Sequence, residues 1–178
     1  MECELNQAAG REAPSTTMWL PAQALNCYEG DARLRSWLTE PGLLTQRMRA
    51  IGGPAFRLNV IREETNASGH LREIELLCAG QPWLYAETRV PATTLAAHRW
   101  LCELGGSALG EVLAARADVD REPLAFALES PESPLVSRAL ARARLAPQSL
   151  WVRRSSFTVG GSPFVLHEIF HPRIGVMA

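Results

Sequence analysis

Two alternating stretches, each turned back on itself at a glycine, constrain this chain most. Leu71 to Cys78 meets Ala79-Gly80-Gln81-Pro82 and resumes from Trp83 to Val90. Trp151 to Val159 meets Gly160-Gly161 and resumes from Phe164 to Phe170. Both read as β-hairpins. Between and around them lie short helical patterns. Leu34 to Met48 is apolar at helical spacing and is broken near Pro41-Gly42, which predicts two helical pieces, the second starting just after Pro41. Thr94 is placed to cap a helix running to Leu104, and Ser107 another from Ala108 to Arg116. Leu135 to Leu145 reads as an Ala/Arg helix, and Phe56 to Ile61 as a further strand. Hairpins interleaved with short helices predict an α+β fold: a single antiparallel sheet flanked by helices.

Period two also sorts the charges, because successive strand side chains point to opposite faces. Arg72 shares a face with Ile74, Leu76 and Cys78, while Glu73, Glu75 and Leu77 form a face expected to be solvated. In the last strand Glu168 falls between Leu166 and Phe170, with Phe164 on the same face. Two opposite charges are therefore predicted to point inward from separate strands. Buried charge is costly unless paired. Either Arg72 and Glu168 form a structural ion pair, or they line an internal pocket. In the second case the arginine takes a carboxylate through its planar fork, and the glutamate takes a hydroxyl. Such a glutamate can also exchange a proton near neutral pH.

Composition removes several alternatives. All 18 basic residues are arginine, and the chain of 178 residues has no lysine. Schiff-base enzymes and Walker A phosphate binders both need a lysine and are excluded. A formal net charge of −1 argues against a general nucleic-acid partner. The four cysteines (Cys3, Cys27, Cys78 and Cys102) are widely spaced, as reduced thiols of a cytoplasmic protein are. The acidic start Met1-Glu-Cys-Glu does not read as a signal peptide, and without a run of ~18 apolar residues no membrane-spanning helix is expected. Residues 1–29 are expected to be a tail and lead-in, disordered to about residue 16, with residues 30–178 forming one domain. A monomer is expected, since no large apolar stripe is left over.

His167-Glu168-Ile169-Phe170-His171 matches the zinc-protease motif H-E-x-x-H, which works on a helix. Here Gly160-Gly161-Ser162-Pro163 precedes it and Pro172 follows, so a strand is predicted and no metal site. His167 and His171 are then expected on the face opposite Glu168, mostly exposed. Arg138, Arg142 and Arg144, with Arg153 and Arg154, are expected to be a solvated basic face.

An ordered set of stretches resembles the chorismate pyruvate-lyase family. Leu71-Arg72-Glu73-Ile74-Glu75-Leu76-Leu77-Cys78 with Gly80-Gln81-Pro82-Trp83 is similar to the family's central motif. Ile61-Arg62-Glu63 comes before it and Val90-Pro91-x-Thr93-x-Leu95 after it. Leu109-Gly110, Leu150-Trp151-x-Arg153-Arg154-Ser155 and Leu166-x-Glu168-x-Phe170-x-Pro172 follow in order. The resemblance implies conversion of chorismate to 4-hydroxybenzoate and pyruvate, the first committed step of ubiquinone biosynthesis, without metal or organic cofactor. It implies a water-shielded internal pocket in which Arg72 and Glu168 are catalytic and substrate-binding. Leu44 and Leu109 are implied as further contacts through their backbone amides, which lie in the first turns of their helices, where anions are favoured. Leu44 stands where the family can carry methionine. The family pattern Ala-Arg-Thr is Ala86-Glu87-Thr88 here, and Arg89, on the same strand face as Glu87, is the candidate replacement cation. Domains of this fold also serve as effector sensors in transcription regulators, so a non-catalytic aromatic-acid binder is the alternative.

Overall fold

The computed structural model describes residues 17–27 and 30–176. The tail reading for residues 1–16 lies outside the described residues. Among the described residues eight strands form one antiparallel sheet: β1 (Leu20–Pro21), β2 (Phe56–Asn66), β3 (Gly69–Cys78), β4 (Gln81–Pro91), β5 (Val119–Arg121), β6 (Ala125–Glu129), β7 (Leu150–Val159) and β8 (Ser162–Phe170). Their order is β1-β6-β7-β8-β4-β3-β2, with β5 paired to β7. The helices are α1 (Ala32–Leu38), α2 (Leu44–Gly52), α3 (Ala92–Ala97), α4 (Leu109–Ala114) and α5 (Pro134–Ala143). The α+β architecture is the expected one. Among the described residues no helix is long and apolar enough to cross a membrane.

Both expected hairpins form. At each turn two successive residues take positive φ, Ala79 and Gly80 in one and Gly160 and Gly161 in the other. That twist matches the strands it joins. A third hairpin, β2–β3, turns at Asn66, whose side-chain oxygen accepts the Ser68 amide at 2.8 Å. The helix near Thr94 differs from expectation. It starts at Ala92 and breaks at His98, and the Thr94 hydroxyl bonds the Pro163 carbonyl at 2.6 Å instead of capping.

Both sheet faces are covered. On one, α1 and α2 pack through Trp37, Leu38, Leu44 and Met48 onto Leu76, Leu84 and Phe170. Further along that face, Leu109 and Leu113 of α4 meet Phe157, Val159 and Phe164. On the other, α5 lays Val136, Ala139 and Leu140 onto Tyr85, Val152 and Ile169. Each such aliphatic side chain contributes roughly 1.5–3 kcal/mol when fully buried.

That second cover overturns one expectation. Glu73 and Glu75 are not solvated; they are 3% and 4% exposed. Arg138 and Arg142, one helical turn apart, reach down from α5 to neutralise them. Arg138 Nε lies 3.0 Å from Glu73, and Arg142 forks onto Glu75 with bonds of 3.1 and 2.9 Å. These arginines are clamps rather than a free basic face. His167 and His171 are likewise not exposed: His167 is half-buried against Trp19, and His171 is buried. Burial pushes both imidazoles down to about 4.

Candidate active site

Between the first sheet face and the N-terminal ends of α2 and α4 lies a cavity of about 260 Å³. That suits one small ligand, just under the ~300–1,000 Å³ of drug-sized sites. Its lining includes Leu44, Arg72, Leu109 and Glu168, all four residues singled out from the sequence. Leu76, Leu84, Ala86, Phe157 and Leu166 supply apolar wall. Arg72 and Glu168, 96 positions apart, meet here because β3, β4 and β8 are neighbours in the sheet.

Arg72 is 2% exposed yet carries its charge into this space. Its Nη2 donates to the carbonyls of Gly105 at 2.6 Å and Ser107 at 3.1 Å. Its Nε lies 3.0 Å from Glu63 Oε1. Burial lowers the guanidinium's affinity for its proton and Glu63 opposes that. Glu63 reaches Arg72 because of a bulge. The β2–β3 register runs Val60 with Ile74, then Arg62 with Glu73 and Glu63 with Arg72. The extra residue, Ile61, flips the alternation; in an unbroken ladder Arg62 would oppose Arg72. The Ile61-Arg62-Glu63 stretch carried no sign of this on its own.

Glu168 does not pair with Arg72. Its Oε2 accepts from Arg153 Nε at 2.7 Å, and the two residues are cross-strand partners in β7 and β8. Arg153 is 3% exposed and also donates to the Leu38 and Glu40 carbonyls at 3.4 and 3.2 Å. The pair buries two opposite charges together, which removes most of the cost of burying either alone. Arg153 is therefore a buried residue of the site and not part of the expected solvated basic face. Period two in β7 could have found it, because Trp151, Arg153, Ser155 and Phe157 share one face.

Leu44 and Leu109 are the first residues of α2 and α4, where a backbone amide has no intrahelical acceptor. The cap residues Leu43 and Ala108 offer no side-chain bond, and all four residues line the cavity. Ser107 is not the cap expected of it; its carbonyl serves Arg72.

Arg89 does not replace a missing cation in the cavity. It sits on the opposite sheet face, exposed, and is paired with Glu87 at 2.6 Å. Glu87 is 2% exposed there, paired also with Arg138. The family pattern's arginine position thus faces α5, and its change to glutamate leaves the cavity untouched. His167 and Glu168 also part company, since H-E-x-x-H lies on β8 and its end. Four residue steps of extended chain put the two histidines ~13 Å apart. Among the described residues no three His, Cys, Asp or Glu side chains converge to hold a metal ion. Cys78 and Cys102 are free thiols.

A family model described as chorismate lyase matches residues 59–175. This chain belongs to the chorismate lyase family. A relative named "Probable chorismate pyruvate-lyase" from Halorhodospira halophila is 33% identical, over 89% of this chain and 92% of its own length. One of the same name from Nitrosospira multiformis is 34% identical, over 80% and 88%. Among solved structures, the gene product SA0254 of Staphylococcus aureus superposes with a TM-score of 0.52 at 11% identity, covering 75% of this chain and 90% of that one. A protein described as a possible transcriptional regulator, YydK, of Bacillus subtilis gives 0.52 at 12%, over 72% and 64%. At such identities the likeness is one of fold. The chorismate lyase match includes β3, β4, β7 and β8, the strands that carry Arg72, Arg153 and Glu168.

Proposed function

We propose that this chain is a chorismate pyruvate-lyase, turning chorismate into 4-hydroxybenzoate and pyruvate at the entry to ubiquinone biosynthesis, and that the cavity is its active site. The observation that carries the site is the meeting of Arg72, Glu168 and the uncapped amides of Leu44 and Leu109 in one enclosed space. Every residue lining it falls within the 30–178 span read as the domain. The substrate is a small molecule, and we read the enzyme as a cytoplasmic monomer with no nucleic-acid partner.

The chemistry asks little of the protein. The ether bond between the ring and the enolpyruvyl oxygen breaks. The hydrogen on the alcohol-bearing ring carbon leaves as a proton, and its electron pair completes the aromatic ring. The departing enolpyruvate takes a proton at its methylene carbon and becomes pyruvate. Aromatisation drives the step, so the site must orient, exclude water and meet charge. No metal or organic cofactor enters this scheme.

Arg72 meets the ring carboxylate through Nη1, because Nη2 is held by the Gly105 and Ser107 carbonyls and Nε faces Glu63. Glu168 accepts a hydrogen bond from the ring hydroxyl. Arg153 occupies its Oε2, which leaves Oε1 for that contact. The Leu44 and Leu109 amides meet remaining anionic oxygens. The ring proton passes to the departing methylene within the substrate.

Chorismate incubated with the purified chain should yield pyruvate and the absorbance of 4-hydroxybenzoate. Tight 4-hydroxybenzoate binding without product would leave only a binding module. Glu168→Gln keeps an acceptor and is expected to cost about tenfold in kcat, the scale of one hydrogen bond to a charged group. A thousandfold loss with the fold intact would assign proton transfer to Glu168.

A further inference from the structure

We infer that Arg121 binds the second carboxylate of the substrate, the one that leaves with the enolpyruvyl group, and so tells substrate from product. This rests on the lyase reading and deepens it. Chorismate carries two carboxylates, whereas 4-hydroxybenzoate keeps only the one on the ring. A site that recognises the ring carboxylate and the hydroxyl alone cannot separate them, because both groups survive the reaction. Arg72 and Glu168 are contacts of that kind.

Three arginines line the cavity: Arg72, Arg121 and Arg153. Arg153 is neutralised by Glu168 at 2.7 Å, and Arg72 has Glu63 at 3.0 Å. Arg121 differs. Its Nη2 donates to the Pro41 carbonyl at 3.1 Å, and among the described residues no carboxylate lies within ion-pair distance of it. A carbonyl satisfies one N–H but cancels no charge. Arg121 is therefore the cavity cation left for an anion from outside the chain, with further donors on its fork.

Its placement fits the group assigned to it. Arg121 ends β5 opposite Phe157, itself a wall residue. Pro41 opens the loop that leads to Leu43 and Leu44 on the facing wall. Arg121, Pro41 and Gly42 are exposed while the rest of the site is largely buried, so they form the mouth. An anion held at the mouth is the one free to depart when its bond to the ring breaks.

The test compares Arg121→Gln and Arg121→Lys with the wild-type chain on two ligands. For Arg121→Gln, kcat/KM for chorismate should fall tenfold or more, roughly the loss of a charge-assisted bond. The Kd for 4-hydroxybenzoate should stay within about twofold, since the product never meets Arg121. Retained product binding also reports an intact fold. Arg121→Lys, with charge but no fork, should fall between. An unchanged kcat/KM, or an equal loss for both ligands, would overturn the proposal. If the wild-type chain released no pyruvate, the lyase reading would fail by itself. The Kd values for the two compounds then decide Arg121: loss confined to chorismate supports its role, and equal behaviour removes it.

Discussion

The two faces of the sheet use the same residues for opposite ends. On the α5 face, Glu73, Glu75 and Glu87 are buried and met by Arg138 and Arg142. On the other face, Arg72 and Glu168 are equally buried, but each is held from one side by its own partner, Glu63 or Arg153, with open space beside it. A charge covered by a helix and paired with that helix's arginines holds the helix in place. A charge satisfied on one side is oriented and still available to a ligand. The difference lies in what covers each face: a helix with arginines one turn apart, or two helix N-termini that stand off and present amides.

Substitutions on the two faces should separate activity from stability. Arg72→Gln removes the carboxylate clamp and is expected to lower kcat/KM by about 3 kcal/mol, roughly two orders of magnitude. A loss below tenfold, measured by pyruvate release, would break the assignment of that face to binding. Arg138→Ala strands Glu73 as a buried carboxylate and leaves Glu87 with Arg89 alone. It should lower unfolding stability by up to about 3 kcal/mol, toward the lower end of the range for a broken buried pair because Arg138 is partly exposed. Denaturant unfolding reads this, while kcat/KM of the folded protein should change less than about threefold; a larger change would show the faces to be coupled.

The smallest effect is a pH slope. His167 and His171 have folded values of about 4, pushed down by burial from 6.5. Between those values the unfolded chain binds more protons than the folded one, so stability rises with pH. It is complete above about pH 6.5 and is lost as pH falls toward 4. By pH 5.5 each histidine should have removed about 1 kcal/mol. Tm measured from pH 7.5 to 5.5 should fall accordingly, and His171→Gln should flatten the slope. An unchanged slope would mean that His171 is not held neutral by burial.

Much of the site was legible in the sequence. Alternation alone turned Arg72 and Glu168 inward, and the resemblance added Leu44 and Leu109, which line the same cavity. The same alternation misjudged Glu73 and Glu75, because a period says which residues share a face and nothing about what covers it. Arg153 is legible in the strand Trp151 to Phe157, where period two sets it on one face with Ser155 and Phe157. Arg89 was put on the correct face of β4, together with Glu87, but that face points away from the ligand space.

By itself, the sequence determined the hairpins, the α+β class, the lysine-free chemistry and the inward aim of two opposite charges. These follow from turn residues and a period of two, which act over a few positions. Tertiary structure decided the partners. A bulge at Ile61 put Glu63 rather than Arg62 beside Arg72. Strand pairing matched Arg153 to Glu168, and β5 carried Arg121 to the mouth. Those choices depend on register and on which elements stack, and both are settled by burial across distances in sequence that no local pattern spans.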